Sequence, residues 1–308
     1  MKILVFGAGV LGCNLARNLF RAGKDVTLLA RGDWAKQIKE NGLRIKDKFC
    51  PCVSVSRIPV VTELLPEDTY DVIFVVMQYT QISTIIDALR SNGTKNIVFV
   101  GNNVRAKELA DSLPEKNVMF AFSLSAGHRA NDRVMSIDLH KITIGDTCGI
   151  PSNENLIRRI FEGTKYKVVY EPNMEDYLLC HAAFVLPAAF ACYKTDGNLK
   201  KLKGNTAYLN RMIDANIESY RAIKNAGHTI LPKADDIFES EKYRKTCLRF
   251  FKLICATSLG KLCVSDHAMN AIGEMSSLNR DLKAFFDKND AKYPVWKELE
   301  KEADRYLK

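Results

Sequence analysis

The chain has 308 residues, 47% of them apolar and 26% charged, which suits two ordinary globular domains better than a single core. The net charge is +9. The positive residues are scattered and no nucleic-acid motif accompanies them, so no nucleic-acid partner is expected. The N-terminus lacks the pattern of a secretory signal and no apolar run of about 18 residues stands out, so the reading is cytoplasmic with no membrane partner.

In chain order, Lys2 to Phe6 is a short apolar run of the kind that forms a strand buried on both faces. Gly7-Ala8-Gly9-Val10-Leu11-Gly12 follows, and then a helical pattern with Leu15, Ala16, Leu19 and Phe20 on one side, closed by Gly23. Residues 26–30 form the next strand, which completes a βαβ unit. Further buried strands are predicted at 72–76, 97–100 and 118–124, with a helix over 81–89 between the first two. Residues 134–144 suggest a hairpin or edge pair, and 168–170 a last strand. After Pro172 strand signals nearly vanish and amphipathic segments follow near 175–194, 205–226, 234–259, 265–288 and 294–307. The predicted fold is α/β: an N-terminal Rossmann doubly wound parallel sheet over 1–171, with a C-terminal all-helical domain over 172–308.

The glycine motif gains its force from context, because it follows a strand and opens a helix. Gly7 permits the tight turn, Gly9 lets backbone approach a pyrophosphate, and Gly12 lets helix and strand pack closely. The helix N-terminus then offers free N–H groups and a positive dipole, with Ala8, Val10 and Leu11 completing the cradle. Enzymes that use NAD usually place an acid at the end of the second strand. Here that place reads Ala30-Arg31-Gly32-Asp33. A guanidinium at Arg31 suits a 2′-phosphate, so the expected cofactor is NADP(H), although Asp33 could still reach a ribose. Nine cysteines at irregular spacing read as reduced thiols, mostly small core residues. Cys50-Pro51-Cys52 has no second pair at ligand spacing, so no metal is expected.

These segments resemble the ketopantoate reductase (2-dehydropantoate 2-reductase) family. The glycine motif and Arg31 fit its NADPH motif. Val75-Val76-Met77-Gln78-Tyr79 is similar to its Val-Lys-Ala-Tyr strand end, which puts Met77 beside the cofactor. Gly101-Asn102-Asn103-Val104 is similar to its Gln-Asn-Gly-Val loop, which implies a cofactor-side role for Asn102. Gly127-His128-Arg129 with Ile142-Thr143-Ile144-Gly145 matches another family stretch, and Pro187 with Gly197-Asn198-Leu199 fits the helical domain. The resemblance implies a two-domain, NADPH-dependent reductase of a 2-keto acid, with substrate between the domains, in the pantothenate pathway. It also implies a homodimer, and it places Glu274 near the family's late acidic residue that contacts substrate.

The sequence departs from the family where the proton donor belongs. Aligned without gaps on Pro187 and Gly197, the family's lysine and its two asparagines fall on Leu178, Ala182 and Leu186, which share one helix face. Hydride transfer builds negative charge on the carbonyl oxygen, and leucine cannot serve it. His181 is the nearest candidate acid, with a buried histidine bonded to a backbone carbonyl as the alternative. Glu175, Asp176 and Tyr177 open the same helix and suit its N-terminus, while His128, His228 and His267 read as structural or surface. The altered face implies a substrate larger or more apolar than ketopantoate. The alternative function is an NADP(H)-binding sensor or regulator without turnover.

Overall fold

A computed structural model describes residues 1–307, without the side chains of Leu259, Leu262 and Cys263. The reading of Cys263 as a reduced thiol lies outside the described residues. The chain divides into two compact units: Met1–Gly101 with Arg105–Glu175, and Asn102–Val104 with the chain from Asp176 onward. The break follows Glu175 rather than residue 171, because Met174 N donates back to Asp146 O at 2.8 Å.

The first unit runs β1 (Lys2–Phe6), α1 (Val10–Arg21), β2 (Asp25–Leu29), α2 (Gly32–Asn41), β3 (Leu43–Asp47), β4 (Val53–Ser56), β5 (Val60–Val61), β6 (Val72–Val75), α3 (Ile86–Ser91), β7 (Asn96–Val100), α4 (Ala106–Asp111), β8 (Asn117–Arg129), β9 (Val134–Gly145), α5 (Glu154–Phe161) and β10 (Lys167–Glu171). One sheet holds them in the order β4-β3-β9-β8-β7-β6-β1-β2-β5, with β10 paired to β9. From β8 to β5 every neighbouring pair is parallel, whereas β8–β9 and β3–β4 are antiparallel. The apolar runs of β1, β6 and β7 are buried on both faces because helices cover both sides of a parallel sheet. The buried face of α1, Leu15, Ala16 and Leu19, joins Val5, Val26 and Leu28 in one core.

Two segments differ from the sequence pattern. The helix expected over 81–89 is a 3₁₀ turn, Tyr79–Ile85, that becomes α-helical only at α3. Thr80, Ile82, Thr84 and Ile85 are β-branched and weaken the α form there. Residues 43–61 form β3, β4 and β5, which the search for long apolar runs misses because these strands are short and only half buried.

The second unit is helical: α6 (Met174–Lys194), α7 (Thr206–Asn225), α8 (Glu241–Ala256), the short α9 (Ser258–Gly260), α10 (Asp266–Asn270), α11 (Ile272–Lys288) and α12 (Pro294–Glu302). A π turn, Lys261–Ser265, separates α9 from α10. The segments expected at 234–259 and 265–288 are therefore each divided. Trp296 is fully buried, edge-on to Phe190 and Phe286, and its Nε1 donates to Asn279 Oδ1 at 3.0 Å. The Glu218 carboxylate accepts from Val295 N and Trp296 N, both at 3.1 Å, and so satisfies the N-terminal amides of α12.

Among the described residues one helix is apolar enough to cross a membrane by length and composition, which differs from the expectation that no such run stands out. It is α6, 21 residues long, in which an 18-residue stretch has a mean hydropathy of 1.4 and is 78% buried inside the protein. Its apolar side chains surround the helix because it lies in a core.

Candidate functional site

The sheet brings four chain segments to one level. Phe6 is in register with Leu29 and with Val75, and Val75 with Phe99. Gly7 N donates to Leu29 O at 3.2 Å, Val76 N to Phe6 O at 2.8 Å, and Gly101 N to Ala121 O at 3.0 Å. The carboxyl ends of β2, β1, β6 and β7 thus open side by side. The chain runs from β1 outward to β2 and β5 on one flank, and through β6, β7 and β8 on the other. Such a switch point leaves a crevice at the strands' carboxyl ends, where open α/β sheets bind ligands.

The three glycines have distinct surroundings. A Cβ on Gly7 (φ +125°) would lie 2.1 Å from Val76 O, and one on Gly12 would lie 1.9 Å from Gly7 O. Both are forced by close backbone approach. A Cβ on Gly9 would meet nothing within 4 Å. Packing within the chain therefore does not require glycine at position 9; a group approaching from outside would. Gly9 caps α1 with no side-chain hydrogen bond, and the first turn carries no acid. The amides and dipole of that turn can serve an anion. Val10, Leu11 and Ala8 pack against the sheet's core and hold the loop down.

Arg31 follows β2, is exposed, and sets its guanidinium 5.9 Å from the Phe6 ring centroid. Asp33 pairs with Lys36 at 3.1 Å on the surface. Trp34 is buried, and its Nε1 donates to Ala8 O at 3.0 Å; Cys13 Sγ donates to the same oxygen at 3.4 Å. Burial pushes the Cys13 thiol up to about 12, so it stays a neutral donor. Met77 is half-buried just past β6, its carbonyl 3.7 Å from where a Gly101 Cβ would lie. Asn102 is buried with no hydrogen-bond partner for its Oδ1. A buried acceptor without a partner is costly, and a bound donor would relieve it. In the first unit the residues fit a dinucleotide: an open glycine, an uncapped helix end and a guanidinium.

In the second unit Leu178, Ala182 and Leu186 are fully buried. The side of α6 that keeps some surface carries Tyr177, His181, Val185 and Ala188 instead. That stripe is one residue out of register with the face picked out by gap-free alignment. Tyr177 and His181 stack nearly parallel, 6° between planes and 6.4 Å between centroids. Burial lowers His181 to about pKa 4, and the charge of His267 adds to the effect. The imidazole is therefore held neutral near pH 7. Glu274 is buried in the first turn of α11. Asp176 accepts from Thr229 N at 2.7 Å and lies 2.6 Å from His228 Nδ1. Sequence reasoning missed Trp34, and it took Tyr177 only as part of the helix start. Only their spacing, just past the second strand and one turn before His181, could have flagged them.

A mixed sheet with a glycine turn at its switch point, followed by a helical unit, defines a Rossmann-like protein. Residues 3–148 match the family model described as ketopantoate reductase PanE/ApbA. Solved structures share the fold along the whole chain. The 2-dehydropantoate 2-reductase from Geobacter metallireducens GS-15 has a TM-score of 0.80 at 15% identity, covering 99% of this chain and 99% of its own. D-mandelate dehydrogenase with NADH and anilino(oxo)acetate has 0.76 at 15%, covering 100% and 98%. The dimeric ketopantoate reductase from Staphylococcus aureus has 0.73 at 12%, covering 100% and 99%.

Proposed function

We propose that this protein is an NADPH-dependent reductase of a 2-oxo acid or a related small carbonyl compound. The observation that carries the reading is Gly9: its Cβ direction is empty beside an uncapped helix end, as a phosphate-binding turn requires. When bound, the nicotinamide supplies hydride. Gly7 to Gly12 would hold the phosphates, Met77 and Asn102 would flank the cofactor, and Arg31 would favour a 2′-phosphate. Asp33 is engaged by Lys36, which weakens its claim on a ribose hydroxyl.

The helical unit supplies the substrate side. Neutral His181 would donate a hydrogen bond to the oxygen on which charge develops, a role that an imidazole can fill without being protonated. Glu274 would contact the substrate. The largely apolar α6 supports an acid bulkier than ketopantoate. The D-mandelate dehydrogenase above was solved with anilino(oxo)acetate, an aryl-bearing 2-oxo acid, which points the same way. The Staphylococcus aureus neighbour supports a homodimer, with the helical unit as the dimerising part. A cytoplasmic setting suits this chemistry.

The absence of the family's lysine favours a second reading, an NADP(H)-binding regulator without turnover. A panel of 2-oxo acids and aldehydes, including ketopantoate and phenylglyoxylate, separates the two by NADPH oxidation. Turnover of an aromatic 2-oxo acid is expected. Tight NADPH binding with no turnover across the panel would favour the regulator. No association of NADPH or NADH at millimolar concentration would sink both.

A further inference from the structure

The β8–β9 hairpin turns back at residues 130–133, closed by Ala130 N donating to Arg133 O at 2.8 Å. Its acid, Asp132, accepts from Arg133 Nε and Nη2 at 2.7 Å each and pairs with Arg44 at 2.8 Å. Gly127 (φ +148°) lets the two strands close up here, since a Cβ would lie 2.0 Å from Met135 O. Arg129, the last residue of β8, is fixed by pairing with Val134, which itself pairs with Ile45 of β3. Its backbone is therefore anchored and its side chain is exposed. Among the described residues no carboxylate forms an ion pair with it.

The side chain lies over Trp34, guanidinium 5.3 Å from the ring centroid. Trp34 is the residue whose Nε1 holds Ala8 O of the glycine turn at 3.0 Å. The charge of Arg129 is also felt at Cys13, in the first turn of α1, where it opposes the rise caused by burial. A held, uncompensated guanidinium thus lies on one side of the glycine turn, and Arg31, over Phe6, lies beside the same turn. A cation stacked on an indole keeps its outward N–H donors free for an anion.

Resting on the dinucleotide reading above, we propose that Arg129 is a second phosphate-binding arginine for the cofactor. The Trp34 ring is its platform, and the β8–β9 hairpin carries it to the turn. A phosphate that meets this guanidinium gains charge-assisted hydrogen bonds from it.

The test is direct titration of NADPH and NADH into the unaltered protein, Arg129→Ala and Arg129→Lys. Arg90→Ala serves as a remote charge control, since Arg90 is paired with Asp87 on the surface. Melting temperatures report folding. The Kd for NADPH is expected to rise roughly tenfold in Arg129→Ala, with partial recovery in the lysine variant and no change in Arg90→Ala. Loss confined to NADPH assigns the contact to the 2′-phosphate, and equal loss for NADH assigns it to the diphosphate; both sustain the proposal. Unchanged affinities in a folded Arg129→Ala protein, within twofold, overturn it and leave the dinucleotide reading standing. If the unaltered protein binds neither nucleotide, that reading falls and takes this one with it.

Discussion

The two units present chemistry in different ways. In the first, the candidate groups are mostly main-chain: the amides at the start of α1 and the open space at Gly9, with Gly7 and Gly12 held by close backbone approach. In the second, they are side chains on one stripe of α6, and burial decides which stripe remains available. A backbone site survives any change that preserves local geometry. A side-chain site can be erased, or moved one position around the helix, while the fold stays the same.

This contrast can be broken or sharpened by experiment. The largest effect is expected from Gly12→Val, which drives a Cβ into Gly7 O. It should destabilise the first unit by roughly 4 kcal/mol or more, read by urea unfolding; a near-native midpoint would show that the α1–β1 contact can relax. Gly9→Ala points into open space, so its melting curve should match that of the unaltered protein while NADPH affinity falls by about 10²-fold. Equal loss of stability would remove the distinction between the two glycines.

Asp176→Ala takes away the acceptor for Thr229 N and the partner of His228. A loss of about 1–3 kcal/mol is expected in denaturant titration, with NADPH affinity unaltered. Arg31→Ala should weaken NADPH about tenfold and NADH little; matching losses would refute selection by Arg31. The smallest effect belongs to His181. Its folded pKa is lowered from 6.5 to about 4, so unfolding takes up a proton across that window. The stability it contributes is fully present above 6.5 and is lost as pH falls toward 4. His181→Gln should flatten the decline of melting temperature between those values, and an unchanged slope would show that the ring is not held neutral.

The legible parts of the sequence were those in which one residue type has one physical use. Gly7, Gly9 and Gly12 after an apolar strand define a turn with little room for alternatives, and β1, β6 and β7 announce double-sided burial. The face of α6 was not legible. Leu178 and Tyr177 are neighbours in sequence, and alignment by spacing to Pro187 cannot say which of them the remaining helices will cover. Trp34 and Arg129 escaped for a related reason. They lie 95 positions apart, and only the curl of the β8–β9 hairpin brings the guanidinium over the indole. The protonation of His181 depends on its enclosure, which no local pattern encodes.

α6 has one more consequence, which concerns synthesis. A helix of membrane-grade hydropathy emerges from the ribosome before the helices from α7 onward that follow it in the chain. Until they arrive it is an exposed greasy rod, open to holdase chaperones and to self-association. A nascent chain halted near Lys194 should therefore be far less soluble than one halted before Met174.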